Sequence, residues 1–221
     1  MKNNIIESLL IIYTADEGKL KVLLKKKEDE PYKGYWVIPS EKLTDEMSLE
    51  ENPKVVFKNI TNINIDDIKP AGIYNEINTD EERIIELTYI AITEKNVVDL
   101  KKEESSEWFD IDELPKIGYN HSEIIEKATN NLKEKIINNS ENIILELFRS
   151  DFTLSELQSF FENITGKTVD RRNFRKKILS QDLVIDTGEK TTETAGRPGK
   201  LYIFNKDNMK GKIIWIKKAG D

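Results

Sequence analysis

Residues 35–63 read YWVIPSEKLTDEMSLEENPKVVFKNITNI, and this stretch decides the expected fold of the first half of the chain. Ser48 and Glu51 have the spacing of a capping box, which predicts the start of a helix. Pro53 lies within the next turn and cannot donate a backbone hydrogen bond there. Alternatively, the helix begins at Asn52 with Pro53 as its first residue, a position that proline tolerates. Either start predicts a short helix.

The same stretch resembles the Nudix box, the loop–helix–loop that holds metal and pyrophosphate in Nudix hydrolases. The family pattern is G-x5-E-x7-R-E-U-x-E-E-x-G-U, in which U is apolar, and this chain keeps only its apolar positions, Phe57 and Ile63. The resemblance implies an α/β (α+β) fold, a Nudix-like mixed-sheet sandwich. The remaining pattern positions carry Glu41, Met47, Val55, Val56, Asn59, Ile60 and Asn62.

These replacements remove the chemistry of the box. Cleaving a pyrophosphate requires carboxylates around a divalent cation, which positions the phosphates and activates water. Valine and isoleucine offer no oxygen ligand, and asparagine brings no charge. We therefore expect a pocket without catalysis, with no catalytic residue, metal or cofactor. The alternative is a hydrolase of a nucleotide sugar or dinucleotide that uses metal ligands outside the usual box, with candidate carboxylates Glu46, Glu50, Glu51 and Glu86.

Composition narrows the class of protein. The 221 residues are 34% charged and 38% hydrophobic, which is typical of a soluble globular chain. No apolar run approaches the ~20 residues that cross a bilayer, and no signal-peptide pattern is present. The chain has no cysteine and one histidine, so thiolate chemistry is excluded and histidine-based chemistry is limited. We expect a cytoplasmic protein.

Charge is divided unevenly, which predicts two domains. The net charge is −7, yet residues 141–221 hold 15 Lys and Arg against 12 Asp and Glu, whereas residues 1–140 hold 19 against 29. The polar residues Asn138, Asn139 and Ser140 separate two helical patterns and mark the boundary. The predicted domains are residues 1–138 and 141–221.

The first domain shows strand patterns that end in a helix. Apolar or alternating runs on both sides of Gly18 predict a hairpin, and residues 68–77 and 83–93 predict two further strands. SEWFDIDELP at 106–115 resembles the segment that closes many Nudix domains. Asn120 and Glu123 then cap a predicted helix, with His121 as a first-turn residue and, in the less favoured interpretation, a ligand contact. Its apolar stripe consists of Ile124, Ile125, Ala128, Leu132 and Ile136.

The second domain reads as a winged helix-turn-helix. Ile143 to Phe148 predicts one helix, and Thr153 with Glu156 caps a second. A third helix at about 169–180 carries DRRNFRKKIL, and two apolar runs follow as a wing. That run and Gly196-Arg197-Pro198-x-x-Leu201-Tyr202 resemble the C-terminal domain of the Nudix-related transcriptional regulators.

The resemblance implies that the third helix and the wing bind double-stranded DNA. Phe174 and Ile178, four residues apart, should face the core, which leaves the basic residues for the nucleic acid. Lys and Arg neutralise phosphates, and Arg and Asn also read base edges. Lys200 and Arg197 lie in the wing. The predicted DNA-binding residues are Arg171, Arg172, Asn173, Arg175, Lys176, Lys177, Arg197 and Lys200.

The resemblance also implies a regulator whose first domain senses a small-molecule effector. In related regulators the effector is ADP-ribose or another NAD-related nucleotide, and in some branches a sugar. Arg83 is the candidate phosphate or ribose contact, and Tyr35 and Trp36 are candidate stacking residues. Regulators of this kind bind as homodimers, so a palindromic operator is expected.

Overall fold

The computed structural model describes residues 3–78, 82–94, 98, 100, 106–138, 143–192 and 198–209. Its contacts divide the chain into two compact units. The first contains residues 1–14 and 21–130, and the second contains residues 15–20 and 131–221. None of the helices in the described ranges is long and apolar enough to cross a membrane.

The first unit is built around a mixed sheet, which confirms the predicted fold class. Its order is β3-β2-β1-β6-β5, with β4 paired to β1 and β7 paired to β2. Within the described residues the strands are β1 Asn3–Asp16, β2 Lys19–Lys26, β3 Trp36–Val37, β4 Ser40–Lys42, β5 Ile68–Asn78, β6 Glu82–Ile92 and β7 Ser106–Asp110.

Strand β1 lies at the centre of the sheet, and this position explains why it is buried. Leu9 to Tyr13 are all fully buried, as expected for a strand that is covered on both faces. Strand β1 pairs in parallel with β6, whereas β5 pairs antiparallel with β6. A parallel pair needs a long crossover connection. The stretch between β1 and β6 contains that connection and, within it, the helix of the degenerate box.

The box helix, α1, runs from Asn52 to Thr61 and has Glu51 as its N-cap. Proline occupies the first turn, so the later of the two predicted starts is confirmed. The helix ends at Asn62, whose φ of 61° places it in the left-handed region that glycine and asparagine favour. Asn62 therefore adopts the left-handed conformation expected of the glycine that the family pattern has at this position.

The helix predicted after the segment 106–115 is present. Helix α2 spans His121–Ile137. The predicted apolar stripe is confirmed, since all five of its members are at most 2% exposed.

The second unit is a winged helix, as predicted. Its elements in the described residues are α3 Ile143–Leu147, β8 Phe152–Thr153, α4 Leu154–Thr165, α5 Arg171–Ser180, β9 Val184–Lys190, β10 Lys200–Phe204 and α6 Lys206–Met209. Strand β8 was not predicted from the sequence; it joins the wing in the order β8-β10-β9.

Helix α4 begins with the predicted capping box. The Thr153 hydroxyl accepts from the Glu156 backbone N–H at 3.1 Å, and the Glu156 carboxylate accepts from the Thr153 N–H at 3.4 Å. Beneath it, Phe148 packs edge-on against Phe152 and Phe160 with ring centroids 5.2 and 5.1 Å apart. Such pairs contribute beyond their buried area. This aromatic core holds the helices against the wing.

Candidate functional site

The first unit contains a cavity of about 280 Å³, close to the lower end of ligand-pocket sizes. Its lining mixes cationic, anionic and apolar groups. The polar side chains that line it are Glu7, Lys25, Lys26, Lys27, Glu28, Asp29, Ser40, Glu86, Tyr119 and His121.

His121 is the most constrained of these side chains. It opens helix α2 and is 3% exposed. Its Nδ1 accepts a hydrogen bond from the backbone N–H of Ile38 at 3.0 Å. A ring nitrogen that accepts carries no proton, so the ring N–H is on Nε2. In the described part of the chain, Nε2 has no hydrogen-bond partner.

Glu86 lies beside that nitrogen, with Oε1 3.7 Å from Nε2 of His121. The amide of Asn75 donates to Oε2 of Glu86 at 2.7 Å. Burial acts to raise the pKa of the Glu86 carboxyl, but the His121 imidazole and the Asn75 amide outweigh it. The pKa of Glu86 is therefore lowered, which favours a buried anion in the cavity.

A tyrosine and a second carboxylate complete this end of the cavity. The Tyr119 ring lies 5.2 Å from the His121 ring, centroid to centroid, and Tyr119 has a φ of 55°. Burial, followed by the charges of Glu7 and Glu86, raises the pKa of Tyr119. Glu7 accepts a hydrogen bond from the Ser40 hydroxyl. We name these four residues, Glu7, Glu86, Tyr119 and His121, the acidic end of the cavity.

The three side chains proposed from the sequence for effector binding lie outside the cavity lining. Arg83 forms two hydrogen bonds with Glu76, at 3.0 and 2.8 Å. Trp36 packs against Phe109 with ring centroids 4.6 Å apart. Tyr35 has the ammonium of Lys116 4.2 Å from its ring centroid. Their role in binding stays a prediction.

The degenerate box contributes apolar side chains to the core. Val56 and Ile60, at two glutamate positions of the family pattern, are 3% and 2% exposed. They belong to one cluster with Leu10 and Leu23, while Asn59 is exposed. Phe57, one of the two retained apolar positions, completes the same core.

The carboxylates of the alternative hydrolase are not gathered together. Glu51 is engaged with Ser48, whose hydroxyl donates to it at 3.0 Å, and Glu86 lies in the cavity. Among the described residues, no three His, Asp or Glu side chains are grouped so that they could hold a metal ion.

The second unit carries a groove of about 650 Å³ between helix α5, the start of α4 and the wing. Asp170 caps α5 by accepting from the Asn173 N–H at 2.9 Å. Phe174 and Ile178 are buried, as predicted, so the basic residues point away from the core. The groove's lining includes the cations Arg171, Arg175, Lys190 and Lys200.

The other predicted DNA contacts on α5 differ in their exposure. Arg172, Asn173 and Lys176 are exposed on α5, and Lys177 is half-buried. Lys200 donates to the Asp186 carboxylate at 2.7 Å. That carboxylate raises the pKa of Lys200. Arg197 lies outside the described residues.

The chain combines a Nudix-like domain with a winged helix that carries a basic groove, an architecture similar to that of the Nudix-related transcriptional regulators. Residues 144–204 match the family model of the NrtR DNA-binding winged helix domain. A curated relative, the ADPR responsive transcriptional repressor NtrR of Acinetobacter baylyi, is 25% identical over 207 residues, which cover 88% of this chain and 80% of that protein.

Two solved structures support the fold. Shewanella oneidensis NrtR complexed with a 27mer DNA has a TM-score of 0.71 and 24% identity, covering 92% of this chain and 95% of that chain. The NUDIX domain of the same protein complexed with ADP ribose has a TM-score of 0.51 and 18% identity, covering 60% and 90%. The resemblance to the Nudix-related transcriptional regulators, and with it the predicted fold of both domains, is confirmed.

The residues of the acidic end of the cavity were not predicted as one group from the sequence. His121 was treated mainly as a cap neighbour and Glu86 only as a hydrolase carboxylate, and Glu7 and Tyr119 were not considered. One signal was available, because His121 is the only histidine in the chain and follows Asn120 at a predicted helix start. Nothing in the linear pattern brings Glu86, on β6, next to it.

Proposed function

We propose that this protein is a transcription regulator whose winged helix binds operator DNA and whose Nudix-like domain binds ADP-ribose or a closely related nucleotide. The observation that carries the proposal is the basic groove of the second unit, which lies within the segment matched to a DNA-binding winged helix. The A. baylyi relative, an ADPR responsive repressor, supports both halves.

The proposed DNA binding follows from the positive charge of the groove in the second unit. Cations on α5 and on the wing border one groove, which suits the closely spaced phosphates of a duplex. We assign the exposed Arg172 and Asn173 to base edges in the major groove, and Arg171 and Arg175 to phosphates. Arg197 and Lys200 extend the contact from the wing. A homodimer on a palindromic site completes this proposal.

The effector half rests on the cavity. A buried histidine and a buried carboxylate supply directional contacts, and three lysines, Lys25 to Lys27, supply positive charge for phosphates. Arg83, Tyr35 and Trp36 remain proposed contacts from outside the lining. Because none of the glutamate positions of the box carries a carboxylate, we infer that the ligand is bound without a metal and is not cleaved. A regulator of transcription acts where the DNA lies, so this function implies a cytoplasmic location.

Fluorescence anisotropy with labelled duplex DNA from upstream of the protein's own operon tests the proposal. We expect binding at low salt that weakens steeply as salt rises, since counterions are released on binding. ADP-ribose without magnesium should change the DNA affinity, and DNA should change the ADP-ribose affinity by the same factor. Absence of an anisotropy increase at low salt would reject the DNA half, and an unchanged DNA affinity with ADP-ribose would reject the effector half.

A further inference from the structure

We infer that Glu86 and His121 bind the vicinal hydroxyls of a ribose, the carboxylate as acceptor and the imidazole Nε2–H as donor. This inference rests on the proposed function and identifies the part of the effector that the acidic end of the cavity recognises. Carboxylates recognise ribose hydroxyls in dinucleotide-binding proteins by the same chemistry, because a hydroxyl donates to an anionic oxygen.

His121 supplies the hydrogen-bond donor. Its Nδ1 is engaged by the Ile38 N–H, so Nε2 carries the proton. The side chain is buried, and among the residues that the structure describes Nε2 forms no hydrogen bond. The separation of 3.7 Å from Glu86 Oε1 is too long for a hydrogen bond. Since a buried N–H without an acceptor is costly, the cavity is prepared for a ligand oxygen at this point.

Glu86 supplies the hydrogen-bond acceptor. Asn75 donates to Oε2 at 2.7 Å, and the same amide nitrogen lies 3.2 Å from Oδ1 of Asn120. These contacts hold the carboxylate in place and leave acceptor capacity at Oε1. An ionised carboxylate only accepts hydrogen bonds, so the ligand group that meets it must be a donor.

The His121 donor and the Glu86 acceptor together determine which chemical group of a ligand can bind between them. A phosphate oxygen accepts but does not donate, and Glu7 and Glu86 would repel it. A ligand amine donates but does not satisfy the Nε2–H. A hydroxyl does both at once, and two adjacent hydroxyls have the spacing to contact both residues. The phosphates of the ligand are then left to the lysine side of the lining.

Calorimetric titration of the wild-type chain with ADP-ribose analogues tests the assignment without any protein variant. Each analogue lacks the 2-hydroxyl of one of the two riboses. We expect one analogue to bind about 10-fold or more weakly than ADP-ribose, because a hydrogen bond to a buried charged group is lost. The other analogue is the matched control. Equal affinity for all three ligands would overturn the inference.

Two variants then locate the contact. Glu86→Gln removes the anion, and His121→Asn keeps an acceptor near the Ile38 N–H while removing the Nε2 donor. Glu126→Gln on α2 is the control, because this glutamate is exposed and lies outside the cavity lining. Each cavity variant should weaken ADP-ribose binding by about 10-fold, and the weaker-binding analogue should lose no further affinity in Glu86→Gln. Melting curves of the free proteins check that each variant is folded.

The outcomes separate this inference from the function on which it rests. If the wild-type chain does not bind ADP-ribose, the proposed effector is wrong and the inference is wrong with it. If the wild-type chain binds ADP-ribose and both cavity variants bind it equally well, only the diol assignment is wrong. If the variants weaken binding but the deoxy analogue loses the same factor in Glu86→Gln as in the wild type, Glu86 does not contact that hydroxyl.

Discussion

The cavity of the first unit and the groove of the second hold ionisable side chains in opposite environments. His121 and Glu86 are each 3% exposed, whereas Arg171, Arg172 and Lys176 of helix α5 are exposed. Buried groups must be held by specific hydrogen bonds, because desolvation is costly, and they recognise a ligand through geometry. Exposed cations keep their hydration and act through their number and field, so their binding depends on salt.

The contrast between buried and exposed positions is tested most strongly within the box helix. Val56→Glu and Asn59→Glu each restore a glutamate of the family pattern. The first buries an unpaired charge in the apolar cluster and should lower the free energy of unfolding by about 3 kcal/mol or more. The second changes an exposed position and should alter it by at most about 0.5 kcal/mol. Urea denaturation measures both, and equal effects would show that this helix does not bury Val56.

The groove is tested by removing its cations in pairs. Arg171→Ala with Arg175→Ala should weaken DNA binding by about 10-fold or more and lower the slope of log affinity against log salt by roughly 2, since two phosphate contacts are lost. Arg172→Ala with Lys176→Ala should weaken binding comparably on the exposed face of α5.

A matched control for these pairs is available on α1. Lys54→Ala with Lys58→Ala removes the same charge from an exposed helical face of the first unit and should change the affinity less than 2-fold. Anisotropy titrations at several salt concentrations supply the slopes. An unchanged slope for the groove pair would move the phosphate contacts elsewhere.

One carboxylate in each unit should contribute to stability, and the two contributions should depend on pH in opposite directions. The pKa of Glu86 is lowered from 4.5, so this carboxylate stabilises the fold above pH 4.5 and loses that contribution as the pH falls through its folded-state pKa. The pKa of Glu156 is raised from 4.5, mainly by burial, so its contribution is present below pH 4.5 and is lost as the pH rises through its folded-state pKa.

Glu86→Gln and Glu156→Gln separate these two contributions. The first should flatten the loss of stability below pH 4.5, and the second should flatten the loss above pH 4.5. Glutamine can still serve in the capping box, so α4 keeps its start. Urea midpoints across this pH range give both slopes, and slopes of the same sign would contradict the assignment.

The smallest expected change in stability concerns the N-terminal cap of helix α4, whose first residues line the groove. Thr153→Ala removes the hydroxyl that caps α4 and should lower the free energy of unfolding by about 1 kcal/mol. Ser155→Ala, in the first turn of the same helix and exposed, should change it by less than about 0.5 kcal/mol. A loss from Ser155→Ala equal to that from Thr153→Ala would show that the cap is not the source.

The elements were largely predictable because their signals are local. The capping box at Thr153 and Glu156, the stripe of α2 and the core positions Phe174 and Ile178 all follow from helical periodicity. Strand β8 was not predicted, because a strand of two residues is too short to show an alternating hydrophobic pattern. The grouping of residues 15–20 with the second unit also escaped, because it depends on long-range contacts such as the Asn163 amide donating to the Gly18 carbonyl at 2.8 Å.

The amino-acid sequence by itself determined the architecture, the loss of the metal-binding acids from the box and the basic character of helix α5. These properties reside in residue types and in spacings of a few positions, which a linear reading captures. The tertiary structure is needed to show that Glu86 and His121 lie together in one cavity, whereas Arg83 pairs with Glu76. The reason is physical: Glu86 and His121 lie on separate elements, and the donors that orient them come from Asn75 and Ile38, so the site exists only when the sheet and helix α2 are packed.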